Sequence, residues 1–415
     1  MNVTLQPRIP FGDLRAIASK SAAHRLLICA AFAHEPTRIR CEQLNRDIEA
    51  TVSCLCSLGA SITRDGEYFT VTPIKSVPAK ARLHCGESGS TLRFLLPIVA
   101  SLGIKGEFIL EGRLAERPLS PLREELVAHG ITLSPQGSNP LVCEGKLSGN
   151  SFSIAGNVSS QFISGLLFAL SLCMDGGKLD VTENIESLPY VDMTCNALAE
   201  FGIRINKNGN SYTVFRPYGI TSPKEVKVEG DWSNAAFPLC AAAIGGDVTL
   251  HGISLSSSQG DKRITELLRN FGANVEEGED LVRVSHAPLC AIDIDATDIP
   301  DLVPVLATVA SVAKGTTKIY GASRLRIKES DRLKTVSEML RSLGADIEET
   351  ADGLIISGKE RLSGGTVSSA NDHRIAMSAA VASVACASPV TILGADACAK
   401  SYPSFFEDMQ GLWRN

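Results

Sequence analysis

The chain has 415 residues, 44% apolar and 21% charged, which is enough apolar material for more than one hydrophobic core and excludes a disordered or fibrous protein. A net charge of −6 excludes broad nucleic-acid binding, because phosphate backbones are met by basic surfaces, so any bound anion must be met locally. Twelve cysteines without CxxC or zinc spacing, many among Ala and Leu, are expected to be reduced thiols serving as small apolar residues, with no metal site.

Taken in chain order, "MNVTLQP" has strand character, and the segment "MNVTLQPRIPFGDLR" lacks a charged-then-apolar leader, so a cytoplasmic protein is expected. Apolar, Ala-rich helices that open on small or polar residues then begin near Ser21, Ser90, Ser160, Ser233, Asp301 and His373, at intervals of 69, 70, 73, 68 and 72. A second marker, a glycine closing an amphipathic helix, falls at Gly59, Gly130, Gly202, Gly272, Gly344 and Gly411, at intervals of 71, 72, 70, 72 and 67. Two markers sharing a period of about seventy residues identify an internal repeat of six units.

The fifth unit displays the plan. "DLVPVLATVASVAKG" is apolar on every side and reads as a helix buried all round, and "TTKIYG" reads as a strand. In "ESDRLKTVSEMLRSLGADI", Leu333, Val336, Met339, Leu340 and Leu343 recur at helical spacing with charges between, so this helix covers the outside and ends at Gly344. "ADIEETADGLIISG" supplies strands around a turn at Asp352 and Gly353. Residues 375 to 395 carry no charge, but Pro389 and Gly394 divide them into a buried helix and a strand rather than a membrane span. The fold class expected is α/β (α+β): six βαβαββ-like modules with buried parallel helices, three modules in each of two domains, since one core would not grow this large. After Gly411 only "LWRN" remains, so the N-terminal arm is expected to complete the last module. The expected domains are 19–229 and a discontinuous one of 1–18 with 230–415.

The starts of the buried helices share a chemistry: "SKSAAHR", "ESGSTLR", "SSQF", "GDWSN", "DIPD" and "NDHR". Free N–H groups and the macrodipole favour anions there, by about 0.3 to 2 kcal/mol per site. Cations recur at or near these starts, at Lys20, Arg25, Arg93 and Arg374, with Arg117, Lys328, Arg332 and Lys400 elsewhere. Acids, notably Asp301, Glu329 and Asp372, stand among them, as an anion site that also moves protons requires. Each feature has a plainer reading: the serines and aspartates as N-caps, "KESDRLK" as a salt-laced surface helix, His373 as a buried imidazole. "GLIISGKE" approaches a nucleotide-binding loop, but Glu360 stands where the hydroxyl belongs; GxGxxG, GxSxG and HExxH do not occur.

"SKSAAHR", "ERPLSPL", "NVSSQF", "IPD", "RIKESDRL", "NDHRIAM" and "CAKSYPSFFEDM" in this order resemble the enolpyruvyl transferase family over nearly the whole chain. The resemblance implies a two-domain fold and transfer of the enolpyruvyl group of phosphoenolpyruvate to the 5-hydroxyl of shikimate 3-phosphate, releasing phosphate, with no metal or organic cofactor. It implies that Lys20, Ser21, Arg25, Ser159, Ser160, Gln161, Tyr190, Asp301 and Lys328 hold shikimate 3-phosphate. Phosphoenolpyruvate would meet Lys20, Gly89, Arg117, Gln161, Arg332, Arg374 and Lys400. Asp301 would take the hydroxyl proton, Glu329 would act as acid and base at the methylene carbon, Lys20 would assist catalysis, and His373 and Asp372 would support the site. Both small-molecule substrates would bind to a monomer, without nucleic acid or membrane, and domain closure would exclude water. Glu87 and His24 stand where asparagine is frequent in the family, and an acid at Glu87 would oppose phosphoenolpyruvate unless it turned away or paired. The branch of the family that acts on UDP-N-acetylglucosamine is the alternative, but its loop cysteine has no counterpart in "EGRLAERPLSPL"; the other alternative is a non-catalytic anion-binding repeat protein.

Overall fold

The computed structural model describes residues 1–215 and 219–413. The expected domain ranges also include residues 216–218 and 414–415, which lie outside the described residues. The chain divides into a contiguous unit, Ala18–Val228, and a discontinuous unit, Met1–Ile17 with Glu229–Asn415. Strands β1 (Asn2–Leu5) and β2 (Phe11–Arg15) open the discontinuous unit.

The contiguous unit repeats one plan. Its first module is α1 (Lys20–Ala31), β3 (Thr37–Arg40), α2 (Arg46–Ser57), β4 (Ser61–Asp65) and β5 (Tyr68–Thr72). The second is β6 (Lys80–Gly86), α3 (Gly89–Leu102), β7 (Lys105–Leu110), α4 (Leu122–Ala128), β8 (Thr132–Leu133) and β9 (Leu141–Glu144). The third is β10 (Ser151–Ala155), α5 (Ser160–Leu172), β11 (Gly177–Thr182), α6 (Leu188–Glu200), β12 (Arg204–Asn208) and β13 (Ser211–Phe215). In the second and third modules the strand before the buried helix lies parallel to the strand after it, and an antiparallel hairpin extends the sheet. No strand precedes α1 within its module, and β14 (Glu225–Lys227) comes from the far end of the unit to lie parallel to β3. Pairing there satisfies backbone groups that a bare edge would leave open.

The discontinuous unit repeats the plan with a different closure. Its modules are α7 (Trp232–Gly245), β15 (Asp247–His251), α8 (Ile264–Phe271), β16 (Asn274–Glu277) and β17 (Leu281–Ser285); then β18 (Asp293–Asp295), α9 (Val303–Ala310), β19 (Thr316–Tyr320), α10 (Arg332–Ser342), β20 (Asp346–Glu349) and β21 (Leu354–Ser357); then β22 (Gly365–Ser368), α11 (His373–Ala382), β23 (Val390–Leu393) and α12 (Phe405–Leu412). β2 pairs in parallel with β15, and β1 pairs antiparallel with β23 in the place the hairpin strand takes elsewhere.

Local chemistry explains the helices. Ser19, Ser88, Ser159, Asp231 and Asp372 cap α1, α3, α5, α7 and α11, each side-chain oxygen accepting a backbone N–H of the first turn. The expected start at Asp301 differs: a 3₁₀ turn, Pro300–Leu302, leads into α9 without a side-chain cap. Gly59, Gly130, Gly202, Gly272 and Gly344 follow the outer helices with φ of 111°, 90°, 82°, 108° and 89°, the left-handed geometry that suits glycine. Gly411 does not belong with them, because α12 continues through it to Leu412. Each unit has its own core, built from three buried helices and the inner faces of its sheets. The twelve cysteines are free thiols, and no helix among the described residues is long and apolar enough to cross a membrane.

Candidate functional site

In the contiguous unit the expected residues gather at the starts of α1, α3 and α5. Ser159 caps α5, and the next two residues, Ser160 and Gln161, open it. Gln161 joins α5 to α3: its Oε1 accepts from Arg93 Nη1 at 2.9 Å and its Nε2 donates to Ser90 Oγ at 2.9 Å. Gly89, the first residue of α3, lets two guanidinium ends come close to the backbone, since a Cβ there would lie 2.8 Å from Arg93 Nη1 and 2.9 Å from Arg117 Nη1. Two guanidinium groups therefore stand beside free helix-start N–H groups, an arrangement suited to a carboxylate or phosphate.

The start of α1 is tied to the outer helices. Lys20 Nζ lies 3.0 Å from Asp47 Oδ2 in the first turn of α2. Arg25, 3% exposed, donates to Ser21 O at 2.6 Å, Tyr190 O at 2.8 Å and Thr194 Oγ1 at 2.8 Å, and its guanidinium packs 5.0 Å from the Phe94 ring centre. Burial draws its pKa down to about 10, against the opposing influence of Tyr190. The Glu87 carboxylate is seated against the turn at Gly112, where a Cβ would lie 2.6 Å from Oε2.

In the discontinuous unit the expected residues converge on one buried guanidinium. Arg332, 1% exposed, donates from Nε to Asp372 Oδ2 at 2.8 Å, from Nη1 to Asp301 Oδ1 at 2.9 Å and from Nη2 to Glu329 Oε2 at 2.7 Å. Arg374 holds Asp301 from another side, with Nη2 to Oδ2 at 2.9 Å and Nη1 to the Asp301 carbonyl at 3.0 Å. Burial alone would raise the Asp301 pKa, but Arg374, Lys328 and Arg332 overcome it and hold the carboxyl well below the usual range. Burial lowers Lys328 to about 8 despite the pull of Asp301. Arg332 is drawn down by burial and raised beyond its ordinary value by Asp372, Glu329 and Asp301. Lys400 Nζ donates to Asn371 O at 2.6 Å, and His373 and Asp372 sit together at the start of α11, with His373 Nδ1 3.9 Å from Asp372 Oδ1.

The sequence-expected residues thus form two groups, one in each unit. Sequence reasoning missed Asp47, Thr194 and Asp261. Asp47 looks like any acid in a helix first turn, and Thr194 like any polar residue on an outer helix. Asp261, in "SSQGDKR", is 2% exposed and bonded to Ser233 at the start of α7. Burial and the neighbouring Asp301 raise its pKa to about 7, with Arg374 and Ser233 opposing. Only its position, in a Gly-Asp pair that opens a helical turn, could have marked it.

A family model described as EPSP synthase (3-phosphoshikimate 1-carboxyvinyltransferase) matches residues 10–409. A protein of Clostridium kluyveri named 3-phosphoshikimate 1-carboxyvinyltransferase is 42% identical over 414 residues, covering 99% of this chain and 97% of that protein. Its namesake in Clostridium acetobutylicum is 41% identical over 416 residues, with the same coverage of 99% and 97%. Among solved structures, an EPSP synthase from Acinetobacter baumannii superposes with a TM-score of 0.82 at 25% identity, over 99% of this chain and 98% of that one.

Proposed function

The chain belongs to the EPSP synthase family, with the two-domain fold of the enolpyruvyl transferases, and from that premise we propose how its own residues carry the reaction. The enzyme is a shikimate-pathway enolpyruvyl transferase. Its substrates in this reading are phosphoenolpyruvate and shikimate 3-phosphate, bound to a cytoplasmic monomer.

The observation that carries the reading is the set of carboxylates around Arg332. Asp301 and Glu329 occupy the two terminal nitrogens of one guanidinium, at 2.9 and 2.7 Å, while Asp372 holds its inner edge. The reaction needs a separate base and acid close together. The 5-hydroxyl oxygen bonds to the central carbon of phosphoenolpyruvate and gives its proton to Asp301. As the substrate draws Arg332 away from it, Glu329 takes up a proton and gives it to the methylene carbon. The tetrahedral intermediate then loses phosphate as the C–O bond breaks, Asp301 passes the hydroxyl proton to the departing phosphate, and Glu329 recovers a proton from the methyl group to restore the enol ether. Arg332 and Arg374 take the substrate's carboxylate and phosphate. Arg117, Lys20 and Lys400 stabilise the departing phosphate, while Gly89 leaves the start of α3 open to the anion. Ser21, Arg25, Ser159, Ser160, Gln161, Tyr190 and Lys328 hold shikimate 3-phosphate.

An anionic substrate competes with Asp301 for Arg332 and Arg374. When the substrate takes these donors, Asp301 loses two of the three cations that hold it ionised, keeping Lys328, and becomes a stronger base. Binding therefore arms the base in this reading. Phosphate release with phosphoenolpyruvate plus either shikimate 3-phosphate or UDP-N-acetylglucosamine tests the substrates, with release expected only for the first. Asp301→Asn and Glu329→Gln test the roles: kcat should fall by about 10²- to 10⁴-fold with ligand binding retained. Unchanged turnover in either variant refutes its assignment.

A further inference from the structure

A buried chain of polar side chains links α1, α2 and α3 of the contiguous unit, and nothing in the mechanism above uses it. His24 Nδ1 lies 2.7 Å from Thr51 Oγ1, which lies 2.7 Å from Thr91 Oγ1. Thr91 Oγ1 donates to Ser88 Oγ at 2.8 Å, and Ser88 Oγ also accepts the Thr91 backbone N–H at 3.3 Å as the cap of α3. All four residues are fully buried, at 0% exposure.

The direction of the chain follows from its last link. The Thr91 proton is given to Ser88, so Thr91 Oγ1 accepts from Thr51, and Thr51 Oγ1 in turn accepts from an Nδ1–H of His24. The imidazole is then the neutral Nδ1–H tautomer, and its Nε2, which has no hydrogen-bond partner among the described residues, is a bare lone pair rather than an orphaned donor. Burial, followed by the charges of Lys20 and Arg25, pushes His24 well below its ordinary pKa, so the imidazole stays neutral and the chain keeps its direction.

The two ends of this chain are the starts already described. His24 lies one turn beyond Lys20 on α1, and Ser88 directly precedes Gly89, beside which Arg93 and Arg117 stand. We propose that His24, acting through Thr51 and Thr91, is a positioning residue that holds the start of α3 in register with α1 and so sets the enzyme's affinity for phosphoenolpyruvate. This rests on the assignment of Gly89 and Arg117 to phosphoenolpyruvate above. Three uncharged donors acting in one sense, ending on Ser88 as acceptor, keep the helix start fixed without placing a charge beside the substrate anion.

The test uses the full-length enzyme with His24→Leu, His24→Asn, Thr51→Val and Thr91→Val, measuring kcat and the KM of each substrate. His24→Leu should raise the KM for phosphoenolpyruvate about tenfold while changing kcat and the KM for shikimate 3-phosphate by no more than two- to threefold. His24→Asn keeps a donor near the Nδ1 position and should return the KM to within about threefold of the parent. Because the residues act as one chain, His24→Leu combined with Thr91→Val should cost no more than either change alone. Should His24→Leu fail to fold, Thr51→Val carries the same expectation. An unchanged KM for phosphoenolpyruvate, equal effects on both substrates, or no rescue by asparagine overturns the proposal. Arg117→Ala separates the two levels: if it leaves that KM unchanged, the substrate assignment fails, whereas a raised KM with a silent His24→Leu refutes the positioning role alone.

Discussion

Replacing Asp372 by asparagine tests the charge arrangement at the start of α11. Asp372 is fully buried and accepts four hydrogen bonds: Arg332 Nε at 2.8 Å, Arg332 Nη2 at 3.3 Å, Ser330 Oγ at 3.0 Å and the Arg374 backbone N–H at 2.9 Å. Asparagine can still cap the helix through one oxygen. Its amide nitrogen, however, would face the Arg332 Nε–H, donor against donor, and the negative charge would be gone. Arg332 keeps Asp301 and Glu329, so the expected loss is about 3 kcal/mol, at the low end for breaking a buried pair. For a unit of this size that corresponds to a fall of about 6 to 12 °C in its melting temperature. Burial alone would raise the Asp372 pKa, but Arg332 holds it below the carboxylate range. A folded pKa below the unfolded value means that the stabilisation is complete above the unfolded pKa of about 3.9 and is lost as pH falls through the folded one. Denaturant titrations of both proteins at neutral pH and near pH 3 should therefore show a gap that narrows in acid. A loss under about 0.5 kcal/mol at neutral pH, or a gap independent of pH, would refute the reasoning.

Other outcomes follow from the same geometry. Gly165→Ala should destabilise the contiguous unit by about 1 to 3 kcal/mol in thermal melts, because its Cβ would fall 2.3 Å from the Arg93 carbonyl oxygen where α5 meets α3. Gly89→Ala should leave stability within about 0.5 kcal/mol, since the new methyl meets only movable guanidinium ends, yet it should raise the KM for phosphoenolpyruvate; an unaltered KM would count against Gly89 as an anion contact. Lys328, lowered to about 8 by burial, loses its charge as pH rises through that value, so kcat/KM for shikimate 3-phosphate should decline above about pH 8 and the decline should disappear in Lys328→Arg. A thiol reagent should modify Cys56 and Cys290 first, since both are exposed, whereas burial raises the thiols of Cys29 and Cys240 beyond their ordinary range; Cys56→Ser with Cys290→Ser should abolish the fast phase.

The repeat of about seventy residues, the buried helices and the capping residues were readable along the chain because each depends on near neighbours: a serine bonds the N–H two or three residues on, and a glycine supplies its own left-handed turn. Local pattern also marked the cations, but not their partners. Lys20 meets Asp47 at a separation of 27 residues, Arg332 meets Asp372 at 40, and Arg374 meets Asp301 at 73. Those separations are bridged only when modules pack side by side. Packing therefore decided that Asp301 is held ionised while Asp261, an acid of the same kind, is pushed to about 7. A carboxylate's charge depends on desolvation and on which cations approach it, and both are properties of the folded neighbourhood. The hydroxyl chain from His24 to Ser88 has the same origin, since its members lie on three helices and acquire a direction only when water is excluded from all of them.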